Sequence, residues 1–413
     1  MKLDLYIEYS KNHDININNN KITIAFYKPT PFEILTTINK LQNHLKIYTK
    51  IDQINVTFDK QFQTKLIQKI ITKLDNAFYS FHENAMKINY TNIDKNTQFL
   101  VKQLKNYKDI VMETIKTPET HLKYIKDNIP KGYKIKIRKI KDDDKYFPLT
   151  SSVGRGSQYN SYFIHIYKKK ENKNGKNIVL IGKSITFDSG GLNLKMSHME
   201  LMKTDMTGSA IVLNVLNLLV STNNDKNNIH LLIPIAENMI GPNATRPGTV
   251  VKSLNSISVE ITNTDAEGRL CLADALSYYT KYMKPRMKTS LVLDIATLTG
   301  NVCRITAVGG VIMSNTKGTR IAHKLMDIGS SIGEYLDYIQ MRDEYKPYLS
   351  STVADLNNHN PACTAGTAFA GMFLSSFIDQ DTPYVHIDLG CGTFDNNIIN
   401  SFGLLLLYKL LKC

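Results

Sequence analysis

The sequence predicts an α/β protein: a small N-terminal α/β unit followed by a larger unit on a mostly parallel central sheet flanked by helices. Three observations predict it. Continuous apolar runs (NIVLIG, NIHLLIPIA and SLVLDIA) are bounded by Gly, Asn or Asp, as expected of strands buried on both faces. Between them lie stretches of helical spacing, notably 199–220 and 270–283, so strands and helices alternate as around a parallel sheet. Nearer the N-terminus the apolar residues instead alternate in short stretches, LDLYIEY, KITIAFY and INVTF, and residues 60–81 place Phe62, Leu66, Ile70, Ile71 and Leu74 at helical spacing. A chain of 413 residues suits two domains. The expected division is 1–100 for the small domain, a linker helix over 101–117, and 118–413 for the larger domain.

Hydrophobic content of 42% with 21% charged residues is that of a soluble globular protein and excludes disordered and collagen-like classes. The formal net charge of +14 invites a nucleic-acid reading. Lysine, however, is spread along most of the chain beside abundant Asn and Ile, a pattern that AT-rich codon usage also produces. The densest basic stretch, residues 131–145, alternates like a strand and includes Asp142, Asp143 and Asp144. Lys168, Lys169 and Lys170 lead into ENKNGKN, which reads as a solvated hairpin tip. Neither stretch has the interleaved aromatics of a single-strand stacking platform.

Five cysteines, odd in number, widely spaced and without a CxxC pair, argue against a disulfide framework and a zinc ribbon, and fit a reducing cytoplasm. The N-terminal stretch MKLDLYIEYSKNHD interrupts its apolar residues with charges, unlike a signal peptide. The longest apolar run, Leu404 to Leu407, is too short to span a membrane and reads as part of a packed terminal helix.

Three segments carry chemistry. IGKSITFDSGGLNLK holds Lys183 after a buried strand, Asp188 at the end of a short extended run, and Lys195 beyond a Ser-Gly-Gly turn. LMKTDMTGSA sets Asp205 before an apolar helix, and VEITNTDAEGRLCLADAL sets Asp265, Glu267 and Arg269 between a strand and a helix. In extended backbone, residues two apart share a face, so Asp265 and Glu267 point together. Ligand sites of parallel α/β sheets lie beyond the carboxyl ends of the strands, where all four acids are expected. Four converging carboxylates resist ionisation unless cations offset them, and paired divalent metals are a hydrolytic device. The spacing from Asn263 to Asp274 imitates a calcium-binding loop, but a strand-like segment, SISVEIT, precedes it where that loop needs a helix.

GKSITFDSGG, LMKTDM, AENMIGPNATRPG, NTDAEGRLCLADAL and DIATLTG resemble the leucyl (cytosol) aminopeptidase family, and NTDAEGRL is its signature octapeptide. The resemblance covers about residues 115–390 in order. It implies a dinuclear metalloaminopeptidase that releases N-terminal, leucine-like residues from peptides with a free N-terminus. It further implies two divalent ions, Zn²⁺ or Mn²⁺, one held by Asp188, Asp265 and Glu267, the other by Lys183, Asp188, Asp205 and Glu267. Lys195 would be a charged electrophile, and Arg269 would hold a bicarbonate acting as general base. Met202, Thr297, Leu298 and Gly300 match substrate-holding positions. A cytoplasmic homohexamer without membrane contact is implied as well. A basic DNA-binding or regulatory protein on the same fold is the alternative; DNA binding is allowed by the charge but not favoured. Ser184 stands where the family has glycine, and HIDLGCG and NHNPACTAGTAFAG depart from its usual patterns near the expected substrate pocket.

Overall fold

The computed structural model describes residues 2–9, 15–18, 21–26, 29–45, 51, 53–79, 87–306, 309–395 and 398–412. The first five strands, β1 (Lys2–Tyr9), β2 (Ile15–Asn18), β3 (Lys21–Phe26), β4 (Gln53–Phe58) and β5 (Lys87–Thr91), form one sheet in the order β2-β3-β1-β4-β5. Only the β2–β3 pair is antiparallel. Alternation of apolar residues buries one face, with Leu3, Leu5 and Ile7 at 1% exposure or less. The helix expected over 60–81 spans Thr64–Phe78 and buries Ile70, Ile71 and Leu74; its expected end at Phe81 lies outside the described residues.

The helix Lys95–Met112 follows. The side chains of Leu100, Leu104, Tyr107 and Val111 are buried at 1% exposure or less, so this segment packs into the core rather than running through solvent. Asp94 caps it by accepting from the Thr97 amide at 2.7 Å.

The large sheet comprises β6 (Tyr133–Ile140), β7 (Ser161–Lys168), β8 (Asn177–Gly182), β9 (Ser184–Asp188) and β10 (Asn228–Asn238). It continues, after a separate small sheet containing β11 (Thr249–Lys252) and β12 (Ser258–Ile261), with β13 (Thr289–Ala296), β14 (Gly310–Ser314) and β15 (Leu336–Tyr338). Beyond β16 (Leu356–Asn357), which pairs with β12, β17 (Tyr384–Asp388) completes it. The order is β15-β14-β17-β13-β8-β10-β7-β6, with β9 also beside β10. Its centre, β17-β13-β8-β10, is parallel throughout, as the continuous apolar runs predict. Helices Thr207–Ser221 and Leu404–Leu411 pack in the core cluster on one face, and Gly268–Tyr278 and Gly366–Ser375 in the cluster on the other. Met199–Ser221 is the one segment among the described residues long and apolar enough to cross a membrane, but 83% of its apolar window is buried inside the protein. It is a core helix.

Two expectations are corrected. The segment ENKNGKN is exposed but is no hairpin tip, because β10 lies between the two strands it connects, β7 and β8. Polar, turn-rich composition reports solvation, not which strands pair. The expectation against a disulfide framework meets an exception at Cys303, which is disulfide-bonded, whereas Cys271 and Cys363 are free; spacing along a chain does not reveal pairs made by folding. The basic stretch 131–145 contributes the edge strand β6, where exposed lysines discourage pairing with other chains.

Candidate active site

The carboxyl ends of β8, β9, β13 and β17 open on one cleft of about 440 Å³. Lys183 follows β8, Asp188 ends β9, Thr297 follows β13, and Asp205 precedes the helix Thr207–Ser221. Lys183, Asp188, Lys195, Met202, Asp205, Asp265, Glu267, Thr297, Leu298 and Gly300 all line it. A larger groove of about 1100 Å³, beside Lys176, Arg320 and Lys324, holds no such cluster, so size alone would misplace the site.

Local structure explains the convergence. After β9 the chain turns through Gly190 and Gly191, whose φ angles of +88° and +63° are left-handed, and the Asp188 carboxylate accepts from the Gly190 amide at 2.9 Å. The two loops then clasp. The Asn193 amide donates to Thr264 Oγ1 at 2.9 Å, and the Thr264 amide to Asn193 Oδ1 at 2.8 Å. Asn238, at the end of β10, donates to Asp188 Oδ1 at 2.7 Å and to the Thr264 carbonyl at 3.0 Å, which orients Asp188. Asn358 donates to the Asn263 carbonyl at 2.7 Å and holds the loop from behind.

Ligand oxygens of Asp188, Asp205 and Glu267 lie within 4.8 Å of one another, and all three residues are buried. Lys183 Nζ reaches Asp205 Oδ2 at 2.8 Å, Glu267 Oε1 at 3.0 Å and the Thr297 carbonyl at 2.9 Å. Lys195 Nζ reaches Asp188 Oδ2 at 2.8 Å and Asp265 Oδ1 at 2.5 Å. The close seat of Lys183 depends on Gly268, because a Cβ there would meet Lys183 Cε at 2.4 Å.

Charge decides what the cluster can hold. Two ammonium groups face four carboxylates, leaving two negative charges unbalanced. Each ionised pair at 4.8 Å costs about 3 kcal/mol at an effective dielectric near 20. Burial raises the Asp188 carboxyl well above the usual range, with Glu267 and Asp205 adding to it. Burial likewise raises Asp205 and Asp265. Only Glu267 is held low, because Lys183 and Lys195 outweigh its burial. Its Oε2 is nevertheless buried without a hydrogen-bond partner. An acid-rich, oxygen-donor pocket whose carboxylates are buried and include an orphaned oxygen fits divalent cations.

Arg269 does not line the cleft. It is 6% exposed and donates to the Asn358 carbonyl at 2.9 Å; its guanidinium lies 5.5 Å from the Phe369 ring centre. Its Nε has no hydrogen-bond partner, and burial lowers its pKa to about 10. Ser184 is fully buried with its hydroxyl unpartnered.

The structure also brings to the cleft residues that the sequence did not single out: His198, Leu201, Thr204, Thr299, Cys303 and Gly390. His198, with φ +56°, lies just beyond the first motif, and Gly390 sits in the divergent HIDLGCG. Asn238 belongs to the recognisable AENMIGP segment, so a signal for it existed.

The fold and the site together define the class: an α/β protein with an acid-and-lysine cluster at the carboxyl ends of a parallel sheet. The chain belongs to the cytosol aminopeptidase family: the profile of that family's catalytic domain matches residues 100–401. It is 38% identical over 278 residues to a probable cytosol aminopeptidase of Prochlorococcus marinus, an alignment covering 66% of this chain and 55% of that one. It is 33% identical over 348 residues to a probable cytosol aminopeptidase of Persephonella marina, covering 81% and 66%. The chain thus spans about half the length of the first of these curated relatives. The solved structure of the bottromycin maturation enzyme BotP in complex with Mn superposes with a TM-score of 0.84 at 19% identity, over 99% of this chain and 98% of that one. That likeness shows a shared fold.

Proposed function

We propose that this chain is a metal-dependent aminopeptidase that removes leucine-like residues from the free N-termini of peptides. The observation that carries the reading is the convergence of Asp188, Asp205, Asp265 and Glu267 with two lysines in one cleft. Asp188, Asp265 and Glu267 would hold one divalent cation, and Lys183, Asp188, Asp205 and Glu267 the other, with Asp188 and Glu267 shared. Zn²⁺ and Mn²⁺ both suit oxygen donors with one amine. Such ions polarise the scissile carbonyl and lower the pKa of a bound water.

The chain's own groups do the rest. Lys195, at the rim with 17% of its side chain exposed, donates to the oxyanion that forms as the carbonyl is attacked. Arg269, whose Nε is unpartnered, would hold a bicarbonate in its planar guanidinium fork, and that anion would supply a general base. Met202, Thr297, Leu298 and Gly300 receive the first side chain. In this reading the larger domain, 118–413, is catalytic, and 1–100 and 101–117 are the small domain and the linker helix.

The expected test result is strict dependence on a free amine. Leucyl peptides should be cut and their N-acetylated counterparts refused; comparable cleavage of both would identify an endopeptidase instead. The names of the relatives support a cytoplasmic location. We also propose a homohexamer, for which sedimentation should show a six-chain species that carries the activity, and a monomer alone with full activity would contradict it.

A further inference from the structure

We propose that Asp388 is a positioning residue that shapes the pocket for the substrate's first side chain; this rests on the aminopeptidase reading. Asp388 ends β17 and is fully buried. Strand register sets it beside Ala296, the last residue of β13. Its carboxylate therefore meets the next peptide groups as the chain leaves the sheet. Oδ1 accepts from the amides of Leu298 at 3.0 Å, Thr299 at 3.2 Å and Gly390 at 3.1 Å, and Oδ2 accepts from Thr299 Oγ1 at 2.6 Å.

Leu298, Thr299 and Gly390 all line the cleft, so one carboxylate ties two of its walls together. The walls touch closely: a Cβ on Gly390 would lie 2.7 Å from the Thr299 carbonyl oxygen. The other end of the same segment is tied to the acid cluster. Thr297 Oγ1 donates to Asp205 Oδ1 at 2.8 Å, and the Thr297 carbonyl accepts from Lys183. Anchored at both ends, residues 297–300 set the distance from the cluster, where the scissile bond must sit, to the wall that the first side chain meets. Three amides and a hydroxyl converging on one carboxylate are charge-assisted bonds. A neutral amide of the same shape cannot accept all four, because its nitrogen only donates.

The test is selectivity rather than rate alone. Asp388→Asn and Thr299→Val are compared with the unaltered chain in hydrolysis of leucine amide and alanine amide with Mn²⁺. Bound metal per chain and calorimetric binding of free leucine and alanine are measured alongside. Loosening the wall should lower the leucine-over-alanine ratio in kcat/KM by on the order of tenfold in Asp388→Asn, mainly through KM. Thr299→Val, which removes the Oδ2 contact and the 2.8 Å contact with the Thr367 hydroxyl but leaves the three amides on Oδ1, should lower it less, and metal content should not change. The same loss of preference in amino-acid binding would support the clamp. A uniform loss of rate with the ratio preserved, or a loss of metal, would overturn it. Should Asp388→Asn fail to fold, an unchanged ratio in Thr299→Val overturns it equally. Were the unaltered chain to cleave neither amide, the aminopeptidase reading itself would fall and the clamp's role with it. A discriminating parent with equally discriminating variants removes the clamp alone.

Discussion

Stripped of divalent cations by a chelator, the protein is expected to lose all measurable hydrolysis of leucine amide and to regain it when Mn²⁺ is added. The cluster makes this the largest effect available. Lys183 and Lys195 lie against the carboxylates at 2.5–3.0 Å. Ammonium groups neutralise acids but offer no open position to polarise a carbonyl or activate water. Chelation should leave the fold intact, because the lysines partly balance the acids, so circular dichroism should change little while turnover disappears. Of the proposed pair, the ion held by three carboxylates should exchange first, lacking the amine. Undiminished turnover in rigorously metal-free protein would end the dinuclear reading.

The second large effect separates the two lysines. Lys195→Ala should retain its metals and lose on the order of 10²–10³ in kcat, the scale of one lost oxyanion donor. Lys183→Ala should instead lower bound metal per chain. Lys183 lies deeper, with 3% of its side chain exposed against 17% for Lys195, and it touches Asp205, Glu267 and the Thr297 carbonyl together. Metal analysis and kcat on both variants distinguish the roles. Metal loss in Lys195→Ala, or two metals with full turnover in Lys183→Ala, would reverse the assignment without touching the family.

The shared cleft was legible in the sequence to the extent that its residues lie in contiguous motifs. Asp265 and Glu267 are two apart in NTDAEGR, and Lys183 and Asp188 are five apart around β9. Their residue types and local turns state the chemistry directly. Ten of the eleven residues singled out line the cleft, and Arg269 does not. Asp388 is a different case. It lies about ninety positions from Leu298, and only the pairing of β17 with β13 makes them neighbours. Nothing local in HIDLGCG indicates which peptide groups its carboxylate will accept.

By itself the sequence determined the strand-and-helix alternation, the parallel sheet and the membership of the motifs, because periodicity, glycine turns and short-range spacing act within a few residues. The tertiary structure alone decided which strands are neighbours and hence why 169–176 is no hairpin. It also decided that Cys303 is paired, that Gly268 leaves room for Lys183, and that Arg269 is held by the Asn358 carbonyl. Each of these depends on contacts between segments distant along the chain, set by strand order and close packing, which no local pattern of residue types encodes.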